Sequence, residues 1–456
     1  MRRGVSVGVL VLVASIAATL GKEPTYTLEG ALREARAHNP DILIAQKKIQ
    51  ATRGGLVEAR AGYLPSVVSD GVYRKREREG DTRLRPEDYN VNLRVIEQLY
   101  TGGANGSRME IARLKQRKAQ AELASTTAQV EMNVRLAFSE LLLDRERIHV
   151  REQSVGVLRQ ELQSQRERLK AGTVGELNVR RAQVSVANEE PELFQARSDL
   201  QNSYLRLGEL LGRDARTVSD QPSFAVEGDL IYEPRHPDLN DCLARASVNR
   251  PEVHAAQIDI AIETQQLLLD RSATRPQIEA FAGYEVYNER DPALGREFNH
   301  GYVFGLNTTW AIFDGFATRG RMEATRARRE AARRALEALR LSIASEVRSA
   351  FLDLEQADHV LDAELKNVQT ANESLEIAKS NLAAGLGTQL DVLQAASDLT
   401  STQTTRLSAI YLHNAALARL DRACGGEAKS LGANEEDGIG YEQAIQLTQP
   451  SRSLGR

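Results

Sequence analysis

The stretch Tyr302-Val303-Phe304-Gly305-Leu306-Asn307-Thr308-Thr309-Trp310-Ala311-Ile312-Phe313-Asp314-Gly315 reads differently at even and odd positions. In an extended chain Tyr302, Phe304, Leu306, Thr308, Trp310 and Ile312 share one face, opposed by Val303, Gly305, Asn307, Thr309 and Ala311. One face is apolar and aromatic, the other small and more polar. Over about ten residues this is the pattern of a barrel strand with lipid outside and water inside. The earlier segment repeats it, with Tyr89, Val91, Leu93 and Val95 opposing Asn90, Asn92 and Arg94. After Pro276 a further strand places Ile278, Ala280, Ala282, Tyr284 and Val286 together. Strand pairs are therefore expected over 66–78 with 88–100 and over 277–287 with 301–313. An amphipathic strand of a soluble sheet would alternate in the same way, so the context has to decide.

That context is an internal repeat. Leu28-Glu29-Gly30-Ala31-Leu32 through Asn39-Pro40 matches Leu239 through Arg250-Pro251, and Pro65 and Tyr73 match Pro276 and Tyr284, at an offset of 211. From Tyr89 and Tyr302 onward the offset is 213, pairing Gly102 with Gly315 and Arg108-Met109-Glu110 with Arg321-Met322-Glu323. The two extra residues fall in a polar segment, where Asn288-Glu289-Arg290-Asp291-Pro292 answers Glu79-Gly80-Asp81. Each half is one structural unit.

Past each glycine turn the period becomes helical. Leu123, Val130, Val134, Ala137, Leu141, Ile148, Val155, Leu158, Leu162 and Leu169 advance by three, four or seven. Their partners Leu336, Ile343, Val347, Ala350, Leu354, Leu361, Val368, Ala371, Leu375 and Leu382 are apolar too. This is a sustained coiled-coil seam. No proline interrupts 104–170, and Gly106 and Gly156 weaken a helix without ending it. Such a helix is roughly 100 Å long, too long for a compact domain. It ends at Ala171-Gly172-Thr173-Val174-Gly175, or in the second copy at Ala384-Gly385-Leu386-Gly387-Thr388. A return helix then runs to Gly212 or Gly425, with Pro191 expected to kink or restart the first one after Glu190. Before each strand pair lies a further helix, where Asn39-Pro40 suits a cap followed by proline at the first helical position.

At the N-terminus Arg2 and Arg3 precede an apolar run from Val5 to Leu20, then Gly21 and polar residues. That order predicts a secretory signal over 1–21. No later stretch has the ~20 apolar residues of a spanning helix. No cysteine lies near the cleavage point to carry a lipid. Aromatics are 5% and charged residues 27% of the chain, which favours long helices over a dense core. A formal net charge of −4 gives no reason to expect a nucleic-acid partner. Cys242 and Cys424 are isolated in sequence, without a CxxC pair, and the seven histidines form no HExxH, so neither metal nor cofactor is expected. No acid, base and nucleophile can be gathered into a catalytic set. The basic run Arg326–Arg334 reads as a solvated helix face, and Asn105-Gly106-Ser107 and Asn307-Thr308-Thr309 are discounted as glycosylation acceptors.

With these pieces in order, the chain resembles the TolC-like outer-membrane factors, the outer membrane efflux proteins. The carrying residues are both Pro-led helices, Trp310-Ala311-Ile312-Phe313-Asp314-Gly315, Gly385-Leu386-Gly387-Thr388-Gln389-Leu390-Asp391-Val392-Leu393 and Ala418-Arg419-Leu420-Asp421-Arg422-Ala423-Cys424-Gly425. The resemblance implies a mostly helical protein with a small β portion. Three chains would each give four strands to a twelve-stranded outer-membrane barrel and long hairpins to a periplasmic α-barrel. It implies an export duct of a tripartite efflux pump or type I secretion system, working with a periplasmic adaptor and an inner-membrane transporter. Open edges of a four-stranded sheet argue independently that one chain is not enough. Tyr302, Phe304 and Trp310 are expected to face lipid. The resemblance puts the narrow periplasmic entrance just past the second turn, at Asp391, with Gln394 nearby and Asn178 in the first copy. Three such carboxylates would crowd one another and raise their pKa. Both turns, through Gly172, Thr173, Gly175, Gly385, Leu386 and Thr388, are expected to meet the adaptor.

The organisation is then a signal at 1–21, a first repeat at 22–212, a connector at 213–235, a second repeat at 236–425 and a flexible tail at 426–456. Within the repeats, long helices are expected at 104–170 and 316–383, and return helices at 174–212 and 388–424. A coiled-coil scaffold or adaptor without a channel would share the heptads but leaves the strand pairs unexplained.

Overall fold

The computed structural model describes residues 24–75, 87–213, 224–232, 234–235, 237–288 and 298–426. The signal at 1–21, the segment Glu79–Asp81, the residues from Glu289 to Pro292 and the tail beyond Gly426 lie outside them, as does part of the 213–235 connector.

The first repeat begins with β1 (Thr25–Tyr26), α1 (Leu28–His38) and α2 (Pro40–Ala61), followed by β2 (Ser66–Lys75) and β3 (Glu87–Tyr100). It continues with α3 (Ala104–Lys170) and α4 (Glu176–Leu210), and β4 (Ala225–Val226) then pairs with β1 in parallel. The second repeat is α5 (Leu239–Asn249), α6 (Pro251–Ser272), β5 (Gln277–Asn288), β6 (Phe298–Thr309), α7 (Ala317–Ala383) and α8 (Gln389–Ala423). Corresponding helices have identical lengths of 11, 22, 67 and 35 residues in the two halves. At 1.5 Å per residue each 67-residue helix is roughly 100 Å long.

Local chemistry sets the ends. Thr27 caps α1 through its side chain. Asn39 caps α2, its Oδ1 accepting from the Asp41 and Ile42 amides ahead of a proline at the first helical position. Pro191 does not restart the first return helix, and α4 runs through it from Glu176 to Leu210. A proline removes one backbone donor, and packing along α3 on either side carries the helix across the gap.

The seam positions are buried or half-buried along both long helices, except Leu169, exposed at the tip. In the half nearer the strands α3 packs on α2 and α6, and α6 on α7. In the far half α3 packs on α4 and α8, and α8 on α7. Each long helix therefore runs through both halves, while a short helix and a return helix share the remaining place in each layer. Where they meet, each repeat has its core. Leu32, Val134, Phe138, Leu141, Leu207, Leu211 and Phe224 gather in the first, and Cys242, Val253, Ile343, Val347, Leu354, Leu420 and Cys424 in the second.

The strands form one antiparallel sheet in the order β2-β3-β5-β6. β6 ends at Thr309, short of the 313 expected from alternation. The reason is pairing. Thr309 is opposite Gln277, the first residue of β5 after Pro276, so Trp310 to Phe313 have no ladder partner in this chain. β3 continues to Tyr100 because it can pair with β5 across a register shift. Among the described residues no helix is long and apolar enough to cross a membrane.

Candidate functional site

Register decides what the sheet presents. Tyr302 pairs with Tyr284, Phe304 with Ala282 and Leu306 with Ala280. Tyr284 pairs in turn with Leu93, and Leu93 with Ser69. Directly paired residues share a face, so the apolar sets of all four strands combine. That face carries Val67 and Tyr73, Tyr89, Val91, Leu93 and Val95, then Ala280, Ala282 and Tyr284, then Tyr302, Phe304 and Leu306. Tyr302 is 87% and Phe304 82% exposed, which is costly in water and favourable in hydrocarbon. Aromatic rings gather toward one end, where the Tyr73 ring lies tilted against Tyr89 at 4.9 Å and the Tyr284 ring meets Tyr302 edge-on at 5.2 Å. At the other end stand Tyr100, Trp310 and Phe313. Trp310 lies just past the strand and donates from Nε1 to the Thr274 carbonyl at 3.1 Å, leaving its ring half-exposed. Two aromatic groups bounding an apolar band match the interfaces of a bilayer.

The opposite face is hydrophilic. Arg94 lies 3.7 Å from Glu285 and over the Phe281 ring. Asn307 donates to Glu279 at 2.9 Å, and Asn92 to Asn90 at 3.3 Å. Asn92 and Asn307 therefore share this side, away from Phe304.

At the far end of the hairpins the two turns are built on glycines with positive φ, Gly172 at +72° and Gly385 at +74°. Thr173 closes the first turn through its amide at 2.9 Å and its hydroxyl at 3.0 Å, both to the Arg168 carbonyl. Leu386 closes the second, its amide donating to the Asn381 carbonyl at 2.8 Å while its side chain is 83% exposed.

Beyond the turns the repeats differ. Gly175 starts α4 without a side-chain cap, and Asn178 donates its amide to the Gly175 carbonyl at 3.1 Å. Thr388 caps α8, and Asp391 completes a capping box. The Asp391 carboxylate accepts from the Thr388 amide at 2.7 Å and its hydroxyl at 2.8 Å. Those two bonds, the backbone one first, hold the Asp391 carboxyl below its usual range. Within one chain the shift therefore runs opposite to the rise expected from crowding. The spacing Thr388-Gln389-Leu390-Asp391 already carried this signal, which the reading of Asp391 as an entrance acid passed over. Gln394 is exposed and donates to Asp398 at 2.8 Å. Asp398, two turns beyond Asp391, was missed too, and the seven-residue spacing that puts both acids on one face of α8 would have found it.

The joint between return and short helices was also missed. In the second repeat Glu252, at the start of α6, accepts from Ser125 at 2.6 Å and from Arg422 near the end of α8. Buried Arg250 reaches Glu346 at 2.5 Å and Glu252 at 3.3 Å. Burial works against ionisation of Glu252, but the Ser125 hydroxyl and the Arg422 charge prevail and bring its pKa to about 2. In the first repeat the place of Arg250 is taken by Asn39, whose Nδ2 donates to the Leu210 carbonyl at 2.9 Å, while Arg213 just past α4 lies 3.4 Å from Glu34 of α1. Among the described residues no group of three His, Cys, Asp or Glu side chains is placed to hold a metal.

An exposed apolar sheet face backed by a hydrophilic one, continuous with helical hairpins roughly 100 Å long, defines a subunit of a membrane-spanning duct. A profile of the outer membrane efflux protein family matches residues 31–213 and 242–426, and the chain belongs to that family. It is 24% identical over 408 residues to the cobalt-zinc-cadmium resistance protein CzcC of Cupriavidus metallidurans, covering 88% of this chain and 90% of that one. Protein CyaE of Bordetella pertussis is 25% identical over 412 residues, covering 89% and 84%. The fold matches the Campylobacter jejuni CmeC outer membrane channel with a TM-score of 0.74 at 15% identity, over 88% of this chain and 85% of that one. The protein is an outer-membrane export channel of the kind serving tripartite pumps and type I secretion, with its helical tunnel in the periplasm, and is not an enzyme.

Proposed function

We propose that three copies of the chain close a single twelve-stranded barrel. Their turns would meet the hairpin tips of a periplasmic adaptor, and the mouth of their tunnel would be an acidic entrance built from α8. The observation that carries this reading is the sheet itself. Its edges, β2 and β6, have no strand partner among the described residues, although its outer face suits only lipid. Each backbone group left unpaired in hydrocarbon costs several kcal/mol. Joining β6 of one copy to β2 of the next removes every edge, and it gives Trp310 to Phe313 the ladder partner they lack within one chain. Protein extracted in mild detergent should contain three chains per particle by light scattering, and a single chain rejects the assembly.

The adaptor reading rests on an exposed Leu386 at one turn and on open space beside Gly172 and Gly385, where an added Cβ meets nothing within 4 Å. These tips hold features that no contact inside the chain requires. The adaptor in turn joins the duct to an inner-membrane transporter.

The entrance reading rests on Asp391 and Asp398, both exposed on one face at the start of α8, with Gln394 between them and Asn178 at the matching place on α4. Three copies give two tiers of three carboxylates, whose common field favours cations. Asp391→Asn keeps an oxygen for the Thr388 cap while removing the charge. In single-channel recordings it should lower cation selectivity and multivalent-cation block. Unchanged selectivity and block would leave Asp391 as a helix cap and nothing more.

A further inference from the structure

The two cysteines of the chain, far apart in sequence, meet in the fold. Cys242 lies in the first turn of α5, its amide donating to the Asp238 carbonyl at 3.0 Å. Cys424 is the C-cap residue of α8, its amide donating to the Leu420 carbonyl at 2.8 Å. Both are buried in one apolar cluster with Ala246, Val253, Leu420 and Ala423. The repeat supplies an independent comparison. At the matching places the first half has Ala31 and Leu211, both fully buried in its own core. An aliphatic contact in one half is thus a cysteine–cysteine contact in the other, and these are the only two cysteines the chain has. The tunnel helices stand in the periplasm, an oxidising compartment where disulfides form and persist.

We propose that Cys242 and Cys424 form an intrachain disulfide in the exported protein. Two thiols lose two protons and two electrons, and one S–S bond forms. The electrons pass to the disulfide of a periplasmic dithiol–disulfide oxidant, which leaves as a dithiol after a mixed-disulfide intermediate. Burial pushes the Cys424 thiol up, away from the reactive thiolate, and the surrounding core shuts out a protein oxidant. The exchange therefore takes place before the end of α8 docks on α5, and folding then seals the bond from reductants. The bond closes a long loop, constraining the unfolded chain and clamping the root of the α7–α8 hairpin. The root of the α3–α4 hairpin has no such covalent link, because Ala31 and Leu211 stand at the matching places.

The test uses protein extracted from the outer membrane, acid-trapped, unfolded in detergent and urea, and treated with a polyethylene-glycol maleimide that retards each labelled chain on a gel. Without reductant the wild type should take no label, and after reduction in the unfolded state it should take two. Reductant applied to the folded trimer and removed before unfolding should leave the bond intact. Cys242→Ser, tested in the same way, should take one label without reductant. Two labels on unreduced wild type, or a disulfide between chains in place of the monomer band, overturns the proposal.

Discussion

The two halves of the molecule share every helix length and differ at the contacts that hold the helices together. At the joint of return and short helix, the first half uses the Asn39 amide on a backbone carbonyl, and the second uses Glu252 and Arg250 with Arg422 and Glu346. Deeper in the hairpins the order reverses. Asp144 is buried in the first half, taking a 2.5 Å hydrogen bond from Ser203 and lying 3.3 Å from Arg147, where the second half has buried Ala357 and Ala416. The fold depends on spacing and on the seam. The pair filling each contact is free to change, and its chemistry decides how each half answers to pH and to force.

The largest expected difference follows from the ionic joint. Glu252 would titrate near 4.5 without its partners and titrates at about 2 in the fold. A depressed carboxyl contributes stability that is complete above its unfolded value, so the contribution is lost as pH falls from about 4.5 toward about 2. At 1.36 kcal/mol per unit, Glu252→Gln should cost about 3 kcal/mol at neutral pH and progressively less in acid. Asn39→Ala should cost about 1 kcal/mol, and equally at both pH values, because the bonds it removes, to the Leu210 carbonyl and from the Asp41 and Ile42 amides, are neutral. Urea unfolding at pH 7 and pH 4 checks both, and equal pH dependence for the two variants would remove the distinction.

A smaller effect is expected at the polar pair. Burial raises the Asp144 carboxyl above its usual range, against the opposing effects of Ser203 and Arg147. Its charged form is therefore penalised in the fold, and that penalty shrinks as pH falls through the raised value. Replacing Asp144 and Ser203 together by alanine reproduces the second half and should change stability by less than about 1 kcal/mol. Asp144→Ala alone leaves the buried Ser203 hydroxyl without its acceptor and should be the worse variant. A double variant less stable than the single one would show that the pair holds the first half together.

Much of this was legible in the sequence. The seam from Leu123 to Leu169 and its copy marked the long helices, because a sustained heptad has no other stable reading. Period-two alternation marked the sheet faces, since register carries the sorting of Tyr302 from Val303 into every neighbouring strand. The end of β6 was not legible, because a strand stops where its partner stops and that partner starts only after Pro276. Nor was the meeting of Cys242 with Cys424, or of Glu252 with Arg422, because both arise from a return helix stacking end to end on a short one. The Thr388–Asp391 box was local and visible, and it yielded to a reading of the same acid as part of an entrance.

Which side of the sheet meets lipid decides whether these strands can form a channel wall, and one pair of substitutions tests it most directly. Phe304 and Asn307 are three residues apart in β6 and lie on opposite faces of the sheet. Arginine at Phe304 should cost about 2–4 kcal/mol near the bilayer midplane, and arginine at Asn307, beside Glu279 on the hydrophilic side, should cost little. Reversible unfolding of the two variants from phospholipid bilayers reads the difference. A clear penalty at Phe304 alone is the predicted result, and equal penalties at both positions, or a larger one at Asn307, would contradict a channel with Phe304 on its lipid side.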